Sequence, residues 1–387
     1  MPFNFDEQID RRASDSIKWN MYPADALPLW VADADFRVPP EVTSALHARV
    51  DHDIYGYSLP APATTELLCA RMQRLYGWDV TSEQIVFIPS LVTGIHAVCR
   101  AYGEPGGQVL MQPPVYPPFL TAPASHGQTA IFAPLVYVAD GNTFRYEIDF
   151  AAFEAAITPQ TKLFLLCHPH NPTGVEYSRA DLLQLAEICE RHDLIIASDE
   201  IHCDLLLGGT QHTPIASLSR EASQRTVTMM APSKTFNMPG LKSSFLIIQN
   251  EALRTRLQTA IYGIVPWVNL MGLTALDAAY RHGDEWLNEL QHYLTANRDF
   301  MVKYIADEMP MLKVGIPNAT YLAWIDCRTA GITGSPYTFF LEKAKVALSD
   351  GIPFGAPGEG FVRLNFGTTR ATLQEALERM RNQLHDL

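Results

Sequence analysis

Apolar positions along the chain fall into two rhythms. Runs that are apolar throughout, QIVFIPS (84–90), TKLFLLCHP (161–169), LIIASDE (194–200) and TVTMMAPSK (226–234), read as strands buried on both faces. Between them, PPEVTSALHARV (39–50), TTELLCARMQRLYG (64–77), LVTGIHAVCRAYG (91–103) and SRADLLQLAEICERHD (178–193) repeat their apolar residues at helical spacing. Ser178 with Asp181 three residues on opens one of these helices, Gly103 closes another, and EPGGQVLMQ (104–112) supplies a turn and a further strand. Strands alternating with helices predict a mostly parallel sheet covered by helices, with ligands at the carboxyl ends of its strands. From about residue 285 the texture changes to a long helix (286–309), strands TYLAWIDC (320–327) and FVRLNFG (361–367) and a closing helix (371–387), which predict a smaller α+β domain. The expected division is an arm over 1–40 packing with the small domain, a large domain over 41–284 and a small domain over 285–387.

Composition narrows the field. The 387 residues are 47% hydrophobic and 18% charged, as in a globular protein with room for more than one core. A net charge of −13 disfavours nucleic acid, anionic membranes and acidic polymers as partners. The six cysteines stand singly and never as Cys-x-x-Cys, so neither a disulfide framework nor a thiolate zinc site is expected. The start, MPFNFDEQIDRR, lacks the layout of a signal peptide and no apolar run approaches the ~18 residues that span a bilayer, so a cytoplasmic location is expected.

The chemically unusual residues lie just past the predicted strand ends. Asp199 closes LIIASD, where burial would raise its pKa unless a cation pairs with it, although a lone aspartate there is more often a cap or a turn residue. Lys234 ends MMAPSK, and a lysine covering a sheet edge is the plain alternative. HPHNPTG (168–174) is a turn preset by its prolines, in which Asn171 offers an amide and Gly174 permits a close approach. Its histidines, His168 and His170, have no acid or thiol at ligand spacing, so no metal is expected. In PSLVTG, Ser90 caps a helix whose amides at Val92 and Thr93 suit a phosphate, to which Ser233 and Lys242 can add a hydroxyl and an ammonium. An amine, a carboxylate, an amide donor and a phosphate cradle are together what pyridoxal phosphate requires.

With LPLWVADADF (27–36), YGYS (55–58), PPVYPPF (113–119), HPHNPTG, SDEIHCDL (198–205), APSKTFNMPGLK (231–242) and FVRLNFG, the chain resembles the fold-type I pyridoxal-phosphate enzymes over its whole length. Within them it is similar to the MalY/PatB-type cystathionine β-lyases, also called cysteine-S-conjugate β-lyases. The resemblance implies Lys234 as the Schiff-base lysine, Asp199 as partner of the pyridine nitrogen, Asn171 as donor to the ring hydroxyl and Tyr116 stacked on the ring. It also implies Val92, Thr93, Ser233 and Lys242 around the phosphate, Tyr57 reaching in from a second subunit of a homodimer, and Arg363 on the substrate carboxylate. His202 stands where many relatives have tyrosine, and Lys242 where they have arginine. The implied activity is α,β-elimination from cystathionine or a related cysteine S-conjugate; the alternatives are an aminotransferase and a cofactor-bound regulatory protein that contacts a transcription factor. Trp267 is expected in packing or at the entrance, Arg11 and Arg12 in solvent, and Cys167 and Cys203 as buried apolar groups.

Overall fold

The computed structural model describes residues 3–387. Seven strands form the main sheet, in the spatial order Ile85–Ile88, Ser244–Ile247, Thr226–Met230, Ile195–Asp199, Thr161–Cys167, Gln108–Met111 and Thr129–Phe132. Ser244–Ile247 runs antiparallel to both neighbours and the other pairings are parallel. Strand Thr161–Cys167 shows why its sequence is apolar throughout. Leu163, Leu165 and Cys167 pack into the core under helix Leu91–Tyr102, whereas Phe164 and Leu166 pack on the opposite side with Leu182, Leu185 and Cys189 of helix Arg179–Arg191. Each helix opens on a side-chain cap: Ser90 accepts from Thr93 N, and Ser178 with Asp181 closes a capping box.

A second sheet of six strands has the order Ser349–Asp350, Phe361–Asn365, Leu322–Asp326, Lys313–Gly315, Thr143–Glu147 and Val136–Asp140. The expected division at residue 284 is therefore not followed by the hydrogen bonding, because the hairpin over 136–147 belongs to this sheet. Its second strand, Thr143–Glu147, buries Phe144 and Tyr146 between more exposed residues, and Val314 pairs in parallel with Thr143. The buried side, Phe144 and Tyr146, joins Trp324 and Phe361, whose rings stack at 5.2 Å. Residues 285–387 alone would leave that aromatic face bare.

The arm is stitched to this second sheet. Leu27–Pro28 pairs in parallel with Val346–Ala347, Asn365 N donates to Leu29 O at 2.9 Å, and Asn365 Nδ2 donates to the carbonyls of Val31 and Asp33. Arg11 is not solvated as expected. Its guanidinium forks onto Asp33 and reaches Asp35, which is also bound by the fully buried Lys18 and by Trp19 Nε1. Arg12 donates to the carbonyls of Trp19 and Ala26. Gly174 sits where the sheets meet: at φ +70° it would place a Cβ 2.4 Å from Pro317 Cβ, so no other residue fits.

Candidate active site

Asp199 is the last residue of its strand, and the ladder continues one step through His168 N, which donates to Asp199 O at 2.9 Å. That bond sets the Asn171 turn beside the carboxylate. Strand Thr226–Met230 stops earlier than its apolar run suggests. Pro232 cannot donate to a ladder and presets the first turn of a short helix, Pro232–Thr235, so Lys234 projects from a helical turn and not from a strand tip. The chain then passes Asn237, whose amide bonds Ala34 N and the carbonyls of Ala34 and Phe36, and reaches Lys242 in a left-handed conformation at φ 53°. Such a backbone costs a lysine about 1 kcal/mol. Arg363 enters from the second sheet, donating Nη1 to Asn171 Oδ1 at 2.9 Å and Nη2 to Trp30 O and Ser349 Oγ.

These elements enclose a cavity of about 210 Å³ lined by Val92, Tyr116, Asn171, Asp199, His202, Ser233, Lys234, Lys242 and Arg363, together with Val31, Ala32, Cys167 and Ser243. Nine of the eleven site residues expected from sequence are thus brought together. Thr93 does not line the cavity, and its amide is spent on the Ser90 cap at 3.3 Å, leaving Val92 to present the helix terminus. Tyr57 is 99% exposed and lies against Trp267, with ring centroids 6.1 Å apart. Ala32 and Ser243 were not singled out in the sequence. Ala32 contributes a carbonyl and Ser243 one of a run of small hydroxyl residues, so neither carries a signal of its own.

Burial dominates the electrostatics. It pushes the Asp199 carboxyl up to about 7, with Glu200 reinforcing the effect while the Ile201 amide and Lys234 oppose it. It lowers the Lys234 amine to about 8 against the opposing charge of Asp33, with Nζ donating to Ala32 O at 2.5 Å. Burial and the cations Lys234 and Arg363 hold His202 down at about 3, so its ring is neutral. Arg363 is lowered to about 10 by burial. Burial raises the Cys167 thiol far above its usual range, which makes it an inert wall.

Several polar atoms have no protein partner. His202 Nδ1, Ser243 Oγ and Arg363 Nε are buried without a hydrogen bond, and among the described residues Asp199 forms no ion pair. An aspartate, an amide, a neutral imidazole and an amine in one cavity, with Ser233, Ser243, Lys242 and a helix terminus also on its lining, fit a ring bearing a protonatable nitrogen, a hydroxyl, an aldehyde and a phosphate. Pyridoxal phosphate is such a molecule. His168 and His170 have separate side-chain partners. His170 Nδ1 faces Thr173 Oγ1 at 2.9 Å, while His168 meets Glu176, an acid only eight residues on that the sequence reading passed over, and the distant His212, and the atoms of these three lie within 4.8 Å of one another, a grouping that could hold a metal ion. Each is engaged in hydrogen bonds.

Residues 25–380 match the family model for aminotransferases of class I and II. The chain is 41% identical to Cystathionine beta-lyase PatB of Bacillus subtilis, over 98% of this chain and 100% of that one. Among solved structures it is similar to cystalysin from Treponema denticola, which contains a pyridoxal 5'-phosphate cofactor, with a TM-score of 0.95 at 30% identity over 100% of both chains. It is also similar to the PLP-bound C-S lyase from Staphylococcus hominis, with a TM-score of 0.92 at 31% identity over 99% of this chain and 98% of that one.

Proposed function

The chain belongs to the class I and II aminotransferase family, on the branch of the cystathionine beta-lyases, and from that premise we propose that it is a pyridoxal-phosphate-dependent carbon-sulfur β-lyase. Its substrate is L-cystathionine or a related cysteine S-conjugate, and its products are a thiol, pyruvate and ammonia. The observation that carries the reading is the convergence of Lys234, Asp199, Asn171 and Arg363 on one cavity.

Lys234 would hold the cofactor covalently, Asp199 its ring nitrogen, Asn171 and His202 its hydroxyl side and Tyr116 its face, with Val92, Ser233 and Lys242 around the phosphate. When bound, pyridoxal phosphate supplies the electron sink that makes the Cα proton of an amino acid removable and lets a thiolate depart from Cβ. The chain supplies the rest. Burial lowers the Lys234 amine to about 8, which raises its neutral fraction at neutral pH far above that of an ordinary lysine, so Lys234 Nζ can accept the Cα proton. Arg363 Nη2 is engaged by Trp30 O and Ser349 Oγ, and its Nε, buried without a partner, is left to donate to a carboxylate. Because Arg363 occupies Asn171 Oδ1, the Asn171 amine is left as the donor.

The active unit in this proposal is a homodimer in which Tyr57 of one protomer completes the site of its partner. Ile54, Tyr55, Tyr57, Leu59, Tyr262, Ile264 and Trp267 are all exposed and apolar, a face that a second copy would cover. A cytoplasmic location belongs to the same proposal; among the described residues no helix is long and apolar enough to cross a membrane.

The test is direct. Purified protein given L-cystathionine releases pyruvate without a keto-acid acceptor. Acceptor-dependent turnover with no pyruvate release would make it an aminotransferase instead.

A further inference from the structure

Behind the cavity lies a buried charged cluster that the proposed chemistry does not use. His212 is 6% exposed and sits between two carboxylates, with Nδ1 at 3.0 and 3.1 Å from the Glu176 oxygens and Nε2 at 2.8 Å from Glu200 Oε2. Both ring nitrogens face acceptors, so both carry hydrogen and the ring is a cation. The His168 ring stacks on it at 4.7 Å and the Tyr76 ring meets it edge-on at 5.6 Å. Burial opposes that charge, yet the two glutamates raise His212 to about 10, while His212 and His168 hold Glu176 at about 2.

The two glutamates belong to the two pieces of chain that matter most. Glu176 follows the Asn171 turn and also accepts from Thr213 N. Glu200 is the residue after Asp199 and accepts from Ser198 Oγ at 2.8 Å and from Ile215 N. We propose that His212 is a positioning residue: a buried cation that fastens the Asn171 turn to the end of the Asp199 strand and cancels the negative charge of Glu200 beside Asp199. The groups facing Asp199 are Glu200, Lys234, Tyr116 and Cys167, and those facing His212 are Glu176, Glu200, His168 and Tyr76. Glu200 touches both sets, which makes it the route from one to the other. The inference rests on the lyase reading, in which Asp199 faces the cofactor.

Opposite charge changes separate this role from a merely structural one. His212→Asn exposes the site to an uncancelled Glu200, and Glu200→Gln removes the anion and leaves His212 paired with Glu176. Added negative charge raises the pKa of every titrating group in the site, and its removal lowers them. In protein loaded with pyridoxal phosphate, the pH midpoint of the visible absorption should therefore move up in H212N, down in E200Q, each by about one pH unit, and back towards wild type in the double variant. Cofactor dissociation should be about tenfold faster in H212N and largely restored in the double variant. Shifts of the same sign in both single variants, or no downward shift in E200Q, would overturn the proposal, and E200Q decides it even if H212N does not fold. One equivalent of bound metal lost on H212N would overturn it too, by showing the cluster to be a metal site. A wild-type protein with no visible band would refute this inference together with the lyase reading, whereas a normal band with shifts of the wrong sign would refute this inference alone.

Discussion

Arg363 Nη1 donates to Asn171 Oδ1 at 2.9 Å, a bond that joins the second sheet to the turn ending the first. The residue expected to hold the substrate carboxylate thereby also orients the residue expected to hold the ring hydroxyl. Arg363→Lys keeps the charge but cannot reach Asn171, Trp30 and a carboxylate together. Its kcat/KM for L-cystathionine should fall about 10- to 100-fold, with KM rising, in a pyruvate-release assay.

In the proposed reaction, Lys234→Ala removes both the covalent anchor and the base. Pyruvate release should fall by at least about a thousandfold, the visible cofactor band should be absent, and circular dichroism should show an intact fold. A variant that kept the band would mean that another amine holds the cofactor.

Asp199 sets a sign for stability in the cofactor-free protein. Its folded pKa of about 7 lies above the unfolded value of 3.8, so between these pH values the folded state binds more protons than the unfolded state. Stability should fall as pH rises from about 4 to about 7, by up to about 4 kcal/mol, and then level off. Thermal melts of cofactor-free Asp199→Asn should lack that slope. Cofactor binding should restore wild-type stability most at the upper end of the window.

Asp35 bonds Lys18, Arg11 and Trp19 at once, and Lys18 is fully buried. Asp35→Ala leaves an ammonium in the interior without its carboxylate. Urea unfolding should show a loss of about 3–5 kcal/mol, accompanied by a raised KM because the arm it fastens walls the site. Unchanged stability would mean that Lys18 finds another carboxylate.

Local chemistry was legible wherever one residue type had few alternatives. That Asp199, Lys234 and Asn171 gather at one cavity, and that Ser90 caps a helix, was readable because each closely follows an apolar run. Contacts made across long sequence distances were not. Arg11 looks like a solvent residue until Asp33 and Asp35 fold back onto it, and His212 carries no local mark of its position between Glu176 and Glu200. The hairpin over 136–147 was misplaced for the same reason: its strands are short and half-exposed, and their partner lies some 170 residues on. Thr93 shows the same limit from the other side: its amide is taken by the Ser90 cap and it does not line the cavity, which its sequence neighbourhood does not reveal.

The oxygen that greets the Lys234 amine is the peptide carbonyl of Ala32, whose two flanking carbonyls, Val31 and Asp33, accept from Asn365 of the opposite sheet. No point mutation deletes a carbonyl. Under the proposed function, descendants that drift towards new cysteine conjugates are free to reshape the chamber's side-chain walls, but the first neighbour of the Lys234 amine is inherited unchanged, a fixed point around which specificity has to evolve.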